Sequence, residues 1–300
     1  MNFVYFKRHG ARCVVRAFWV SIALVSHCAV AAPAYTEVSF ASQDTSAGRP
    51  VMLKAFWALA PSTSDAPQRA RAVVLMHGCG GAYNAKGELS ARFHSYVDLL
   101  HSQGTHALVL DSLTPRGERE LCTQKIGTRK VTMQNRRLDA LAALQWLAQQ
   151  PQVEPRKIGL MGWSNGGSAV LAASNERHAE VAKSLVKPNF VVAFYPGCEA
   201  ELQRGYQPSA DLLLLVGEAD DWTPAEPCKR LAAQAPSSGA ANISIEVYPG
   251  AFHGFDSTAA LRVRRDVPSG VNKGQGVTVG GDADALRLSR ERLIQFLKLH

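Results

Sequence analysis

Apolar positions recur along this chain in two spacings. Short aliphatic or β-branched runs at 72–76, 107–110, 158–161, 190–194, 212–216 and 243–247 have the length and composition of buried strands. Longer segments at 90–103, 134–150, 166–176, 225–235 and 284–299 read as helices. In 134–150, Leu138, Leu141, Ala142, Leu144, Gln145 and Leu147 partly follow a 3.6-residue period, with Arg136, Arg137 and Asp139 on the other side, which predicts a polar outer face. Strands that alternate with helices need crossover connections, so the pattern predicts an α/β fold with a mostly parallel central sheet and helices on both faces. Ahead of them, 37–41 and 51–59 flank the turn-forming residues 46–50 and predict an antiparallel pair. Residues 61–71 read as a polar loop. Residues 257–281, rich in Gly, Val and charge without a helical period, predict a long excursion before the last helix, either a mobile loop or a substrate-side flap.

The amino end departs from this alternation. Lys7, Arg8, Arg12 and Arg16 precede an apolar run from Ala17 to Val30, which ends in Ala31-Ala32-Pro33. A basic start, a short apolar stretch and small residues describe a secretory signal peptide over 1–32, leaving 33–300 as a single catalytic domain. The apolar run of about 14 residues is shorter than the roughly 20 that cross a bilayer core, so no stable membrane anchor is expected after cleavage. Export to the periplasm or the extracellular space follows.

Export changes how charge and cysteine are read. The 300 residues carry a formal charge of +8, and removing the four cations of the signal leaves about +4, with no basic stripe, so nucleic acid is not an expected partner. Cys13 and Cys28 leave with the signal, and Cys79, Cys122, Cys198 and Cys228 remain in a compartment that permits disulfides. Four cysteines allow three pairings. Cys198 and Cys228 flank the strand at 212–216, which predicts a bridge between them and leaves Cys79 and Cys122 as the other pair. No Cys/His spacing points to zinc.

The chemistry is concentrated in one segment. The strand at 158–161 runs into Gly162-Trp163-Ser164-Asn165-Gly166, and the small-residue helical stretch Ser168-Ala169-Val170-Leu171-Ala172-Ala173 follows. A Gly-x-Ser-x-Gly turn between strand and helix lifts a serine above the sheet and points helix amides at it. A serine alcohol needs a base, and in this architecture the acid and then the histidine follow the serine along the chain. Of His178, His253 and His300, the first sits at a polar helix end and the last is terminal, so both are expected in solvent. His253 lies just past the strand at 243–247 and is the expected base. The acid should follow the strand at 212–216, where Glu218, Asp220 and Asp221 share a turn before Pro224. In the pattern Gly, two residues, Asp, the glycine at 217 starts the turn and the residue three positions on reaches back over the sheet, which selects Asp220 and sends Asp221 toward solvent or the helix near Pro224. The oxyanion donors expected are the amides of Asn165 and of Cys79, the latter in His77-Gly78-Cys79-Gly80-Gly81, where His77 takes a structural role. Arg116, with Arg119, and Trp163 beside the nucleophile are candidate substrate contacts.

With these motifs in place, the chain from about Val51 onward resembles the dienelactone hydrolase family of α/β-hydrolases. The resemblance rests on His-Gly-Cys-Gly-Gly at 77–81, Gly-Trp-Ser-Asn-Gly at 162–166, Gly-Glu-Ala-Asp at 217–220 and Tyr-Pro-Gly-Ala-Phe-His-Gly-Phe-Asp at 248–256. The family's type enzyme uses a cysteine nucleophile, whereas this chain has Ser164 and is more similar to exported serine members. The resemblance implies a carboxylesterase-like enzyme that cleaves an ester, lactone or thioester through an acyl-serine, acts on a small molecule and needs neither metal nor cofactor. A peptidase or amidase of the same fold, and a binding protein that keeps the fold without the chemistry, are the alternatives.

Overall fold

The computed structural model describes residues 34–46, 48–61, 69–234 and 241–300. The expected signal segment, 1–32, lies outside the described residues, as do 62–68 of the expected polar loop and the last residue of the helix expected at 225–235.

Eight strands form one sheet: β1 (Thr36–Ser46), β2 (Arg49–Ala58), β3 (Ala70–Met76), β4 (His106–Asp111), β5 (Val153–Trp163), β6 (Phe190–Phe194), β7 (Asp211–Gly217) and β8 (Ile243–Tyr248). Their order is β1-β2-β4-β3-β5-β6-β7-β8. β1 and β2 run antiparallel to their neighbours, and β4, β3, β5, β6, β7 and β8 are mutually parallel. The apolar runs read from the sequence are the buried centres of these strands, because a parallel sheet covered on both faces has no wet side to alternate with. In β7, Leu212, Leu214 and Val216 enter one core while Leu213 and Leu215 enter the other.

Helices cover the two faces. α2 (Met133–Ala148), α3 (Asn165–Ser174) and α6 (Ala225–Gln234) pack on the first face through Leu141, Leu144, Val170 and Leu231. α1 (Ala91–Ser102) and α7 (Ala283–Leu297) cover the second through Phe93, Tyr96, Leu293 and Phe296. Two short helices, α4 (Ala179–Lys183) and α5 (Glu199–Arg204), are additions the apolar periodicity did not indicate.

One expectation is corrected here and another gains detail. The polar side of α2 does not face water: Arg136 and Asp139 have no exposure and Arg137 is also buried. Each is paired, Arg137 with Glu180, Asp139 with Arg116 and Ser42, and Arg136 with groups beside Ser164. The 257–281 excursion, expected as either a mobile loop or a substrate-side flap, carries regular structure. It contains β9 (Arg262–Arg264) and β10 (Val277–Val279), paired antiparallel, and Val279 makes a bridge to His253. Among the described residues no helix is long and apolar enough to cross a membrane.

Candidate active site

The turn from β5 into α3 holds Ser164 at φ 55° and ψ −119°, a backbone region a non-glycine residue occupies at a penalty of about 1–3 kcal/mol. The turn is possible because its flanks are bare. A Cβ on Gly162 would collide with the Gly166 carbonyl, and one on Gly166 with the Met76 carbonyl of β3. The Ser164 amide donates to the Phe194 carbonyl at 2.9 Å, anchoring the turn to β6.

The carboxyl ends of three other strands bring in the remaining groups. His253 follows β8, and its Nε2 lies 2.8 Å from Ser164 Oγ. Its Nδ1 lies 2.8 Å from Asp220 Oδ2, in the turn after β7. With the proton on Nδ1, the ring donates to the carboxylate and leaves Nε2 to accept from the serine hydroxyl. The imidazole sits between Tyr195 and Trp222, each with ring centroids 4.6 Å away. Asp220 Oδ1 accepts the amides of Trp222 and Thr223, both at 2.8 Å, so the carboxylate is aimed by its own turn.

Asp221 points elsewhere, and not to the predicted place. Its carboxylate accepts the amide and hydroxyl of Thr278 on β10, at 2.7 and 2.8 Å, rather than solvent or helix amides near Pro224. It therefore ties the 257–281 excursion to the turn that carries Asp220.

The amides of Cys79 and Asn165 have no acceptor among the described residues, and both residues border the space beside Ser164. Cys79 is bonded to Cys122, and its carbonyl accepts the Leu121 amide at 2.7 Å, which fixes its loop to the strand-exit segment after β4. Cys198 is bonded to Cys228. Beneath the loop, His77 is buried, with Nδ1 2.7 Å from the Gly78 carbonyl and Nε2 accepting the Ser112 amide at 3.3 Å. Burial and then the neighbouring Arg136 guanidinium push its pKa down to about 3, so it is neutral across the working range of an enzyme.

Arg136 is the group that sequence reasoning missed. From within the protein it donates to Asn165 Oδ1 at 2.5 Å and to the His77 carbonyl at 2.6 Å, joining the two chain segments that carry the free amides. Burial lowers its pKa to about 10, so it stays charged at neutral pH. Its burial was hidden because a charged residue on the nominally polar side of a helix carries no sequence mark of a partner 29 positions away. A second unforeseen group is Asp256, which accepts the Tyr195 and Tyr96 hydroxyls at 2.7 and 2.9 Å and the Arg92 guanidinium at 3.1 Å. Burial alone would raise its carboxyl, but Arg92 and the hydroxyls outweigh burial and hold it below the usual range.

Other candidates lie apart from the serine. Arg116 does not face the site: it donates to Asp44, Asp139 and the Ser112 carbonyl, so its terminal nitrogens are consumed inside the protein. Its partner Arg119 is exposed and borders no cavity beside Ser164. Trp163 borders the site but is packed into the core, stacked on Phe194 at 5.6 Å. His178 and His300 are not solvated as expected. His178 is buried 3.1 Å from Glu201, and His300 packs against Phe190 and Phe296.

Two cavities meet at Ser164. One, of about 300 Å³, is bordered by His253, Gly78, Trp163, Tyr195 and the β9 arginines Arg262 and Arg264. The other, of about 700 Å³, opens on the Asn165 side and is mostly apolar.

Sheet order, the serine turn and the strand-end loops define an α/β-hydrolase. The sequence profile of the dienelactone hydrolase family matches residues 58–300, and the chain belongs to that family and is a hydrolase of ester bonds. No curated protein sequence matches it significantly. Solved structures share the fold at low identity. A dienelactone hydrolase-like promiscuous phosphotriesterase from metagenomic libraries aligns with TM-score 0.61 and 17% identity, over 88% of this chain and 98% of its own. Esterase 2 of Thermogutta terrifontis, phosphorylated by paraoxon, aligns with TM-score 0.58 and 16% identity, over 87% and 94%. A dienelactone hydrolase from Anabaena variabilis aligns with TM-score 0.54 and 20% identity, over 74% and 89%.

Proposed function

We propose that this protein is an exported serine hydrolase that cleaves a carboxylic ester, lactone or thioester of a small molecule through an acyl intermediate on Ser164. The observation that carries the reading is the unbroken chain from Ser164 Oγ to His253 Nε2 and from His253 Nδ1 to Asp220 Oδ2, with both links at 2.8 Å. His253 takes the serine proton as Oγ attacks the carbonyl carbon, then passes it to the departing oxygen or sulfur. Asp220 holds the productive tautomer and stabilises the imidazolium. The Cys79 and Asn165 amides receive the oxyanion, and the positive end of α3 adds to their effect. Water, deprotonated by the same histidine, then attacks the acyl carbon, and the bond to Ser164 Oγ breaks as the imidazolium returns the proton to Oγ and the acid leaves.

Export is supported by the basic-apolar-small pattern of 1–32 together with two disulfides, Cys79–Cys122 and Cys198–Cys228. The test is a fluorophosphonate, chosen because a relative with this fold is phosphorylated by paraoxon. Stoichiometric labelling measured by intact mass, lost in Ser164→Ala along with a drop of order a million in turnover, is the expected result. Labelling that survives Ser164→Ala overturns the assignment.

A further inference from the structure

The two cavities beside Ser164 differ in which reacting group they contain, and this gives each a direction in the reaction. In an acyl transfer three bonds leave the carbonyl carbon besides the one to Ser164 Oγ. One points to the oxyanion donors, one to the leaving atom and one to the rest of the acyl group. The leaving atom must come within hydrogen-bond reach of His253 Nε2, because that nitrogen delivers its proton. His253 borders the cavity of about 300 Å³ and is not part of the wall of the cavity of about 700 Å³. The alcohol therefore departs through the smaller space, which the β9–β10 segment covers through Arg262, Val279 and Gly280. The acyl substituent is left with the direction past Asn165.

What lines that direction is mainly apolar and held in place, with Arg129, Glu199 and Glu201 also on its border. Val131 is buried at the lead into α2, Met133 begins that helix, and Pro224 and Pro227 stand at the start of α6. Cys79 and Cys198, each in a disulfide, also border it. Two proline rings and two covalent bridges limit collapse of the empty space. A cavity of about 700 Å³ is in the range that encloses whole drug-sized ligands, far more than an acetyl group fills. We infer that the protein selects esters with a bulky apolar acyl group, medium-chain or arylalkanoyl, and a small alcohol. The inference rests on the acyl-serine reading above and adds to it the side on which the bulk sits.

Two isomeric esters test it, since they carry the same atoms on opposite sides of the carbonyl. Methyl octanoate is expected to exceed heptyl acetate in kcat/KM by at least about tenfold, the discrimination a few methylenes provide in an apolar pocket. Ala200→Trp is the matching variant: Ala200 borders the large cavity and is exposed on α5, so the indole can enter the space without disturbing the core. It is expected to cut the ratio of methyl octanoate to methyl acetate turnover by at least about tenfold. Labelling of the same samples by diisopropyl fluorophosphate separates the two levels of the argument. Labelled enzyme that prefers heptyl acetate, or whose octanoate to acetate ratio is unmoved in Ala200→Trp, overturns the assignment of the cavities alone. Enzyme that is not labelled at all overturns the acyl-serine reading and this inference with it.

Discussion

Arg136 holds Asn165 by its side-chain oxygen, at 2.5 Å, from a site with no exposure to solvent. The same guanidinium holds the His77 carbonyl at 2.6 Å, so one buried cation sets the separation between the β3 exit loop and the first turn of α3. Those segments carry the Cys79 and Asn165 amides. An oxyanion site works only if its donors are already in position when charge develops, and a single lost donor costs about 100- to 1,000-fold in kcat. Arg136→Lys keeps the charge but has no fork to reach both acceptors. It should lower kcat by about 10- to 100-fold with KM nearly unchanged, since the defect appears mainly in the transition state. Steady-state kinetics on the folded variant checks this, and an equal rise in KM with kcat intact would contradict a positioning role.

Asp220 and Asp221 are adjacent and serve different structures. Asp220 faces His253 Nδ1, whereas Asp221 receives the Thr278 amide and hydroxyl and its carbonyl receives the Val271 amide at 2.8 Å. Asp220→Asn should reduce turnover by about four orders of magnitude by favouring the wrong histidine tautomer. Asp221→Asn should mainly loosen the 262–279 segment, with a stability loss of about 1 kcal/mol. Paired kcat and urea-denaturation measurements decide it, and the reverse ranking in turnover would make Asp221 the acid.

The strands were legible in the sequence because burial on both faces turns each into an unbroken apolar run, as at 212–216 and 190–194. The loops bearing Ser164, Asp220 and His253 were legible for a related reason: in a parallel sheet the chain must leave each strand at the same end. What stayed hidden depends on pairing across long separations. Arg116 looked available because nothing local showed Asp44 and Asp139 waiting for it, 72 and 23 positions away. Asp221 looked like a helix-capping group, since Thr278 lies 57 positions on in a segment with no periodicity of its own. The short strands β9 and β10, three residues each, are below the length at which a two-residue alternation can be recognised.

The Cys79–Cys122 bridge closes a loop with a sequence separation of 43, for which loss of unfolded-chain entropy gives a stabilisation of about 4 kcal/mol. It also fixes the loop that supplies the Cys79 amide. Cys122→Ser should therefore lower both the unfolding free energy and kcat. Opening Cys198–Cys228, whose separation is 30 and which holds no proposed oxyanion donor, should act mainly on stability. Chemical denaturation and kcat measured on Cys122→Ser and Cys228→Ser check the contrast. Equal kcat losses in both would show that the first bridge has no special tie to the reacting centre.

His77 links acid sensitivity to the same corner of the molecule. Its Nε2 accepts the Ser112 amide, so protonation there removes an acceptor and adds a second buried charge beside Arg136. The folded pKa of about 3 lies below the value near 6.5 of an unfolded chain, which means the unfolded state binds the proton first as pH falls. Stability from this residue is thus complete above roughly pH 7 and is lost progressively below about pH 6.5, until the folded-state pKa is reached. Between pH 7 and pH 4 the loss should be on the order of 3 kcal/mol, from about 1.4 kcal/mol per pH unit over the lower two to three units. His77→Gln retains an acceptor for the Ser112 amide and cannot titrate, so its unfolding free energy should fall much less over the same interval. Urea denaturation of both proteins at pH 7, 5.5 and 4 measures the difference. Parallel curves for the two would mean that His77 is protonated in the folded protein as readily as in the unfolded one.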